Sequence, residues 1–474
     1  MKKMKKGFLF LLNLILTICL VACSNGTNQS NRSEDKEQNI PNNTSESVNH
    51  TKREDLSLKV SKDEKKTITI SVMGKFPDFE LAAKEYEKKH PNITIELKSF
   101  ASGGGGMTLL ELEKYVSQTT TEVLSGKGAD LFVLNDQSLP IDRYIDKNAF
   151  VDLNQYIERD TSFDKSLYYM NILEHSKING GLYVLPTHFS LGALFGNKEA
   201  ISKTGIQIDD SQNWTWSRFT EISKQLKTKG TLGTVMNVSP LGILNPLIFS
   251  DENYDRLVDM EKKEAKFDSP LFIDLLKQVK RMYDDGVLST QPTNPTETYF
   301  ASSAIFSPSD YAVRSAVYNN QNTTIYEFPH SSEKESGVSF SGYDRYAMNV
   351  NSTVKMEAWD YLKFLLSYEM QSQSVRDMFP VNIAANEKVF AELLLDGKGG
   401  STKVYGGKGG KITVTEESLQ PLNQMISEAN TEVRWNEKVQ KILSEETPSY
   451  FSGQKSAESV AGIIQNRVMT YLNE

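Results

Sequence analysis

Thr67-Ile68-Thr69-Ile70-Ser71-Val72-Met73 alternates polar with apolar, mostly β-branched residues, the pattern of a strand. Gly74-Lys75-Phe76-Pro77 breaks it. Asp78 then caps a predicted helix in which Phe79, Ala82, Ala83 and Tyr86 share one face. His90-Pro91-Asn92 stops that helix, and Ile93, Ile95 and Leu97 mark a second alternating strand. A helical stretch over Leu109 to Leu124 leads through Gly126-Lys127-Gly128 into Asp130-Leu131-Phe132-Val133-Leu134, a third strand. The order β-α-β-α-β implies an α/β fold with a parallel sheet between helices. Further helices are expected over Leu271 to Tyr283 and Ala358 to Leu366, with a helical tail from Glu416 to Leu472. No fixed-period repeat is present.

Upstream of this unit the chain changes character. Lys2, Lys3, Lys5 and Lys6 precede an almost unbroken apolar run from Phe8 to Leu20. That run is short for a membrane span, which needs about 20 residues, and it fits a secretory signal over residues 1–22. Leu20-Val21-Ala22-Cys23 resembles the lipobox of bacterial lipoproteins, which implies acylation of Cys23 and attachment to the lipid bilayer. Residues 23–65 are polar and read as a disordered tether. From Ser24 onward its 42 residues span roughly 35–40 Å, at about 5–6 Å times the square root of length. Ser24 is not the aspartate associated with inner-membrane retention in two-membrane bacteria, so a single-membrane cell is expected.

Charge and cysteine usage narrow the class. Loss of residues 1–22, with four lysines and no acid, takes the formal net charge from −8 to −12. An acidic chain without a basic block argues against nucleic acid as partner. The other cysteine, Cys19, falls within the removed signal, so no disulfide staples the fold. The five histidines are scattered, and no Cys-x-x-Cys, His-Glu-x-x-His or Gly-x-Ser-x-Gly spacing occurs. Neither a metal site nor any cofactor is expected. Gly103 to Gly106 lacks the lysine of a phosphate-binding loop, and Lys398 to Gly410 reads as a surface insertion.

Several further segments, in order, carry a resemblance. Gly126 to Leu134 looks like a "G-x-x-P-D-hydrophobic" strand entry, with Ala129 in place of proline. Gly181-Leu182-Tyr183-Val184-Leu185-Pro186 followed by Phe195-Gly196-Asn197-Lys198 is similar to a "G-x-Y-x-x-P … Y-N-K" crossing. Trp214-Thr215-Trp216-Ser217-Arg218-Phe219 resembles "W-T-W-x-x-F". Ala304-Ile305-Phe306-Ser307 with Asp310-Tyr311, Phe379-Pro380-Val381-Asn382, and Tyr450-Phe451-Ser452-Gly453-Gln454-Lys455-Ser456 complete the series. Together they resemble the extracellular solute-binding proteins of carbohydrate-type ABC importers (family 1, the maltose-binding-like group).

That resemblance implies a two-lobed periplasmic-binding-protein-like fold with a hinge and an interlobe ligand cleft. It implies a monomer that binds a small solute, with an ABC permease as partner and no catalysis. The first lobe would combine residues 67–189 and 324–367, the second 191–322 and 368–474.

Ligands of open α/β sheets sit beyond the C-terminal ends of strands. That rule selects Lys75 and Phe76 after the first strand and Asn135 and Asp136 after the third. Asp136 and Lys75 suit hydrogen bonds to sugar hydroxyls. The resemblance places Tyr311, preceded by Asp310, where relatives stack an aromatic on the ligand. Trp214 and Phe189 are further aromatic candidates, whereas Trp216 packs its helix. Tyr343 and Asp344 precede a strand expected over 346–350 and face the cleft. Phe379 and Asn382 either touch ligand or build the hinge. Ser190 stands near a position where relatives carry an acid, which leaves the ligand class open around carbohydrate. A lipoprotein sensor that presents solute to a membrane receptor kinase shares the same fold. An anchored glycoside hydrolase would instead release reducing ends from glycans.

Overall fold

The computed structural model describes residues 64–101, 107–135, 139–211, 213–249, 253–260, 262–291, 293–319, 322–331, 337–373, 377–397 and 414–473. Cys23, the expected signal, the tether up to residue 63, Asp136 and the runs 103–106 and 398–410 lie outside them.

The opening unit forms as its pattern dictates. β1 (Lys66–Gly74) pairs in parallel with β2 (Ile93–Ala101), from Lys66↔Ile93 to Gly74↔Ala101. Ile68, Ile70 and Val72 point into the core. The helix Pro77–Lys89 buries Phe79, Ala82, Ala83 and Tyr86. It starts two residues earlier than the sequence suggests. Phe76 is the N-cap and Pro77 takes the first helical position, where a missing N–H is harmless. Asp78 lies in the first turn, near the positive end of the helix dipole. The helix Leu109–Ser125 is closed in front by reciprocal Thr108 and Glu111 bonds. Behind it Gly126 adopts φ 64, which glycine reaches without a Cβ clash. β3 (Leu131–Val133) then joins β1 in parallel.

The remaining strands are β4 (Leu185–Asn197), β5 (Thr234–Asn237), β6 (Val258–Asp259), β7 (Glu264–Ala265), β8 (Leu288–Ser289), β9 (Thr298–Ile305), β10 (Thr323–Tyr326), β11 (Val338–Met348), β12 (Phe379–Pro380) and β13 (Ala429–Glu432). β6 and β7 pair only with each other. The others form one sheet ordered β2-β1-β3-β11-β4-β9-β5-β8, with β10 and β12 also on β4 and β13 on β11. β4 is the crossing strand. Residues Leu185 to Leu191 pair with β11, and Leu191 to Gly196 pair with β9.

Two large apolar clusters flank that crossing. The first gathers Ile68, Ile70, Leu131, Trp359 and Leu362. The second gathers Trp216, Phe219, Phe267, Phe272 and Leu276. A smaller cluster around Phe132, Tyr144 and Phe150 covers the other face of β3. The C-terminal part divides differently from the expected lobe limits. Phe379, Phe390, Leu422 and Ala429 pack in the first cluster, and the segment from Trp435 to Leu472 packs in the second. The cause is β12, which pairs with β4 at Phe189 and His188 and so holds the next helices on the first-lobe side.

The expected helical tail is also interrupted. The helix Glu416–Glu428 gives way to β13, and helices resume at Glu437–Glu446 and Ala457–Asn473. β11 begins at Val338, well before the strand expected at 346, and ends at Met348.

Candidate functional site

Tyr346 of β11 pairs with Leu185 of β4 and with Val133 of β3. Phe340 pairs with Leu191 of β4 and with Glu432 of β13. β3 and β13 therefore share the edge of β11 that faces away from β4, and residues 341–345 separate them. β3 runs antiparallel to β11 and β13 runs parallel to it, so both finish at this break. Two C-terminal strand ends thus confront each other at the place where α/β sheets bind ligands.

Asn135 leaves β3 and spans the break. Its Nδ2 donates to Asp344 Oδ1 at 2.7 Å, and its Oδ1 accepts the Arg345 N–H at 3.0 Å. Asp344 is 3% exposed and adopts φ 47, a region sparsely occupied by non-glycine residues and costly unless held. His188 Nδ1 lies 3.5 Å from Asp344 Oδ2 and 3.0 Å from Thr187 Oγ1. Its Nε2 has no hydrogen-bond partner among the described residues. Tyr343, half-buried, meets Phe306 edge-on with ring centres 6.0 Å apart. Phe306 follows β9, so this pair ties β11 to the end of β9.

A cavity of about 50 Å³ opens at the same break. Leu139, Asp142 and Val184 line it from the first lobe, and Tyr254 and Tyr471 from the second. Arg345, Glu432, Arg434 and Trp435 contribute from the crossing segments. It shares Asp142, Tyr254 and Arg434 with an outer groove of about 480 Å³, a size typical of small-molecule sites. Burial pushes the Glu432 carboxyl above its ordinary range, against the pull of Arg345 and Arg434. Arg434 Nε lies 4.0 Å from Glu432, and its Nη2 donates to the Lys177 carbonyl. Burial likewise raises Asp142, with Asp146 and Asp255 adding to the shift and Arg434 and Arg345 opposing it. Aromatic faces beside hydrogen-bonding charges suit a ligand with both apolar ring faces and hydroxyls. Among the described residues no group of His, Cys, Asp and Glu is arranged to hold a metal ion, and no helix is long and apolar enough to cross a membrane.

The residues singled out in the sequence fall into two sets. Asn135, Tyr343 and Asp344 meet at the break, and Lys75, exposed, and Phe76, half-buried, follow the neighbouring β1. The second set lies among packing and backbone contacts, and Tyr311 also borders a separate groove of about 440 Å³. Phe189 is fully buried and stacks on Phe379 at 5.3 Å. Trp214 is buried in the second cluster, its Nε1 donating to the Glu327 carbonyl at 2.8 Å. Tyr311 is 6% exposed and packs against Phe195 in the first cluster. Asn382 is buried, donating to the Leu366 carbonyl and accepting from the Ala385 N–H. Asp310 accepts from the Phe306 N–H at 3.0 Å and from Arg314 Nε at 2.7 Å, which fixes the start of the helix Pro308–Asn319. Phe306, Arg345, Glu432, Arg434 and Trp435 escape the sequence reading. Phe306 stands inside a matched segment and Arg345 directly follows the candidates Tyr343 and Asp344, but Glu432, Arg434 and Trp435 give no local signal, because the pattern around β13 reads as helix.

Comparison with known proteins gives this geometry a context. The sequence model described as bacterial extracellular solute-binding protein matches residues 73–372. The lactose-binding protein of Rhizobium radiobacter is 24% identical over 150 residues, 31% of this chain and about a third (32%) of that protein's length. The sn-glycerol-3-phosphate-binding periplasmic protein UgpB of Rhizobium meliloti is 25% identical over 323 residues, 63% of this chain and 70% of its own length. Among solved structures, a periplasmic oligogalacturonide-binding protein from Yersinia enterocolitica superposes with a TM-score of 0.60 at 16% identity, covering 86% of this chain and 99% of that one. At that identity the likeness shows the fold, which is two-lobed α/β as the sequence implied. The match over residues 73–372 places this chain in the bacterial extracellular solute-binding protein family.

Proposed function

We propose that this chain is a lipid-anchored, extracytoplasmic binding protein. It captures an oligosaccharide or sugar derivative between its lobes and delivers it to the permease of an ABC importer. The observation that carries this reading is the cavity at the confronted ends of β3 and β13, lined from both lobes by aromatic and charged side chains. Relatives named for lactose, sn-glycerol-3-phosphate and oligogalacturonide binding support a carbohydrate-like solute. Acylated Cys23 is the proposed membrane attachment, which makes delivery to a membrane permease a matter of tether length.

Trp435 and Tyr343 with Phe306 offer ring faces to the sugar. Asn135, Asp136, Asp344 and Lys75 hold its hydroxyls, and Phe76 borders them. The inner cavity, about 50 Å³, holds only a few waters, at roughly 10–15 Å³ of such space for each. A sugar ring enters only when the lobes part, and β4, β11 and the segment after β13 are the connections about which they turn. A thermal-shift screen of the purified protein against a glycan library tests the reading. A glycan at about 100 times its Kd stabilises by roughly 2.7 kcal/mol. No stabilisation by any glycan at millimolar concentration overturns it.

A further inference from the structure

The charges around the interlobe groove do not cancel. Arg434 is engaged by Glu432 and by the Lys177 carbonyl. Asp259 is paired with Lys262 at 2.7 Å. Asp142, on the helix Ile141–Asp146, lines both the inner cavity and the groove. Asp255 lines the groove from the opposite lobe. Among the described residues neither carboxylate has a hydrogen bond or an ion pair. Closing the lobes brings these like charges together, and a neutral ligand leaves their repulsion in place.

A second observation is independent of the carboxylates. Tyr254, 8% exposed, lines the same two spaces, and its hydroxyl has no hydrogen-bond partner among the described residues. A buried polar atom left unsatisfied in this way calls for a group not yet present. Burial, and then the field of Asp142, hold this phenol protonated far above its ordinary range. The Asn436 side chain beside it opposes that rise without reaching ordinary hydrogen-bond geometry, so a ligand donor would complete the bonds of this hydroxyl. A group that carries positive charge and several N–H donors meets both carboxylates and a lone pair of the phenol at once, whereas an anionic group meets only the phenol O–H and is repelled by both carboxylates.

We propose that the groove between Asp142, Tyr254 and Asp255 receives an ammonium group of the captured solute. Asp142 and Asp255 accept its N–H bonds from opposite lobes, so the ammonium stabilises the closed form. Amino sugars and polyamines both present this group. The choice of an amino sugar rests on the sugar-binding reading above.

The test is calorimetry on the full-length chain with four probes: the glucosamine trisaccharide, its N-acetylated counterpart, trigalacturonate and spermidine. The free amine is expected to bind about tenfold tighter than the acetylated trimer, because only it makes the charge-assisted bonds. That ratio should fall toward one in Asp142→Asn and shrink in Tyr254→Phe. If Asp142→Asn does not fold, the exposed Asp255→Asn reports the same ratio. Equal affinity for amine and acetylated trimers, or tightest binding of trigalacturonate, overturns the ammonium inference and leaves the sugar reading standing. Binding of spermidine without either glucosamine trimer upholds the ammonium group and overturns the sugar reading. Binding of none of the four overturns both.

Discussion

The amide of Asn135 donates to Asp344 at 2.7 Å and ties the end of β3 to a β11 residue held at φ 47. The backbone of Asp344 is strained and its side chain is nearly enclosed, so the bond stabilises a conformation the chain would otherwise leave. Asn135→Ala removes a donor from an enclosed carboxylate. The expected loss is about 1–3 kcal/mol in urea unfolding. Ligand affinity should fall as well, because the same amide shapes the break. An unaltered unfolding midpoint together with unaltered affinity would show that Asp344 does not depend on Asn135.

Acid sensitivity should localise to Asp160. Burial works to raise its carboxyl, but hydrogen bonds from Lys363, Ser162 and Trp359 outweigh it and bring the pKa down to about 2. Lys363 Nζ lies 2.8 Å away and Trp359 Nε1 donates at 2.8 Å. A carboxylate with a depressed folded-state pKa contributes fully above its unfolded value, near 3.9, and that contribution disappears as pH falls toward about 2. The shift corresponds to about 2–3 kcal/mol. Asp160→Asn should therefore be less stable than wild type at neutral pH, and the difference should narrow steadily between about pH 4 and pH 2. Parallel stability curves over that window would show that Asp160 is not the acid-sensitive group.

The opening βαβαβ unit was legible because each element is local. Alternation at Ile68, Ile70 and Val72 and the face of Phe79, Ala82, Ala83 and Tyr86 need no distant contact. Asn135 was reached as a candidate by a rule about strand ends that depends only on where β3 stops. Glu432, Arg434 and Trp435 were not found, since β13 becomes a strand only by pairing with β11, about ninety residues earlier in the chain. A four-residue segment between helices shows too little period to be read alone. Tyr311 illustrates the converse. Its segment matches a family pattern, but which face of the helix Pro308–Asn319 turns inward is decided by Phe195 across β4.

Tyr311 separates packing from ligand contact by experiment. Its burial against Phe195 predicts that Tyr311→Ala lowers unliganded stability by about 3–5 kcal/mol, the range for emptying an aromatic site. Tyr311→Phe keeps the ring and should stay within about 1.5 kcal/mol. Unfolding by urea without glycan measures both. An alanine variant as stable as wild type but unable to bind would return Tyr311 to the ligand site.

Anchoring is tested at Cys23. If its acylation holds the protein at the membrane, Cys23→Ala should appear in the medium or persist as an unprocessed precursor. Fractionation of the producing cells with detergent extraction reads the outcome. Mature-sized Cys23→Ala that remains membrane-bound and extracts like wild type overturns the anchor.

Trp435 carries the sharpest test of the site, because no sequence pattern pointed to it. Its ring lies 5.5 Å from Phe249 and lines the interlobe cavity, half-buried. A sugar face laid on that ring would be desolvated on both sides, and truncation of such an anchor typically costs about 2 kcal/mol or more, near thirtyfold in affinity. Trp435→Ala should show that loss with the glycan found by screening, and Trp435→Phe should recover most of it. Because the ring also leans on Phe249, the alanine variant will unfold somewhat earlier, so stability alone does not decide the matter. Tyr343→Ala supplies the control from the other side of the break, where Phe306 is its neighbour. Both alanine variants binding the glycan with wild-type affinity would move the ligand away from the confronted ends of β3 and β13.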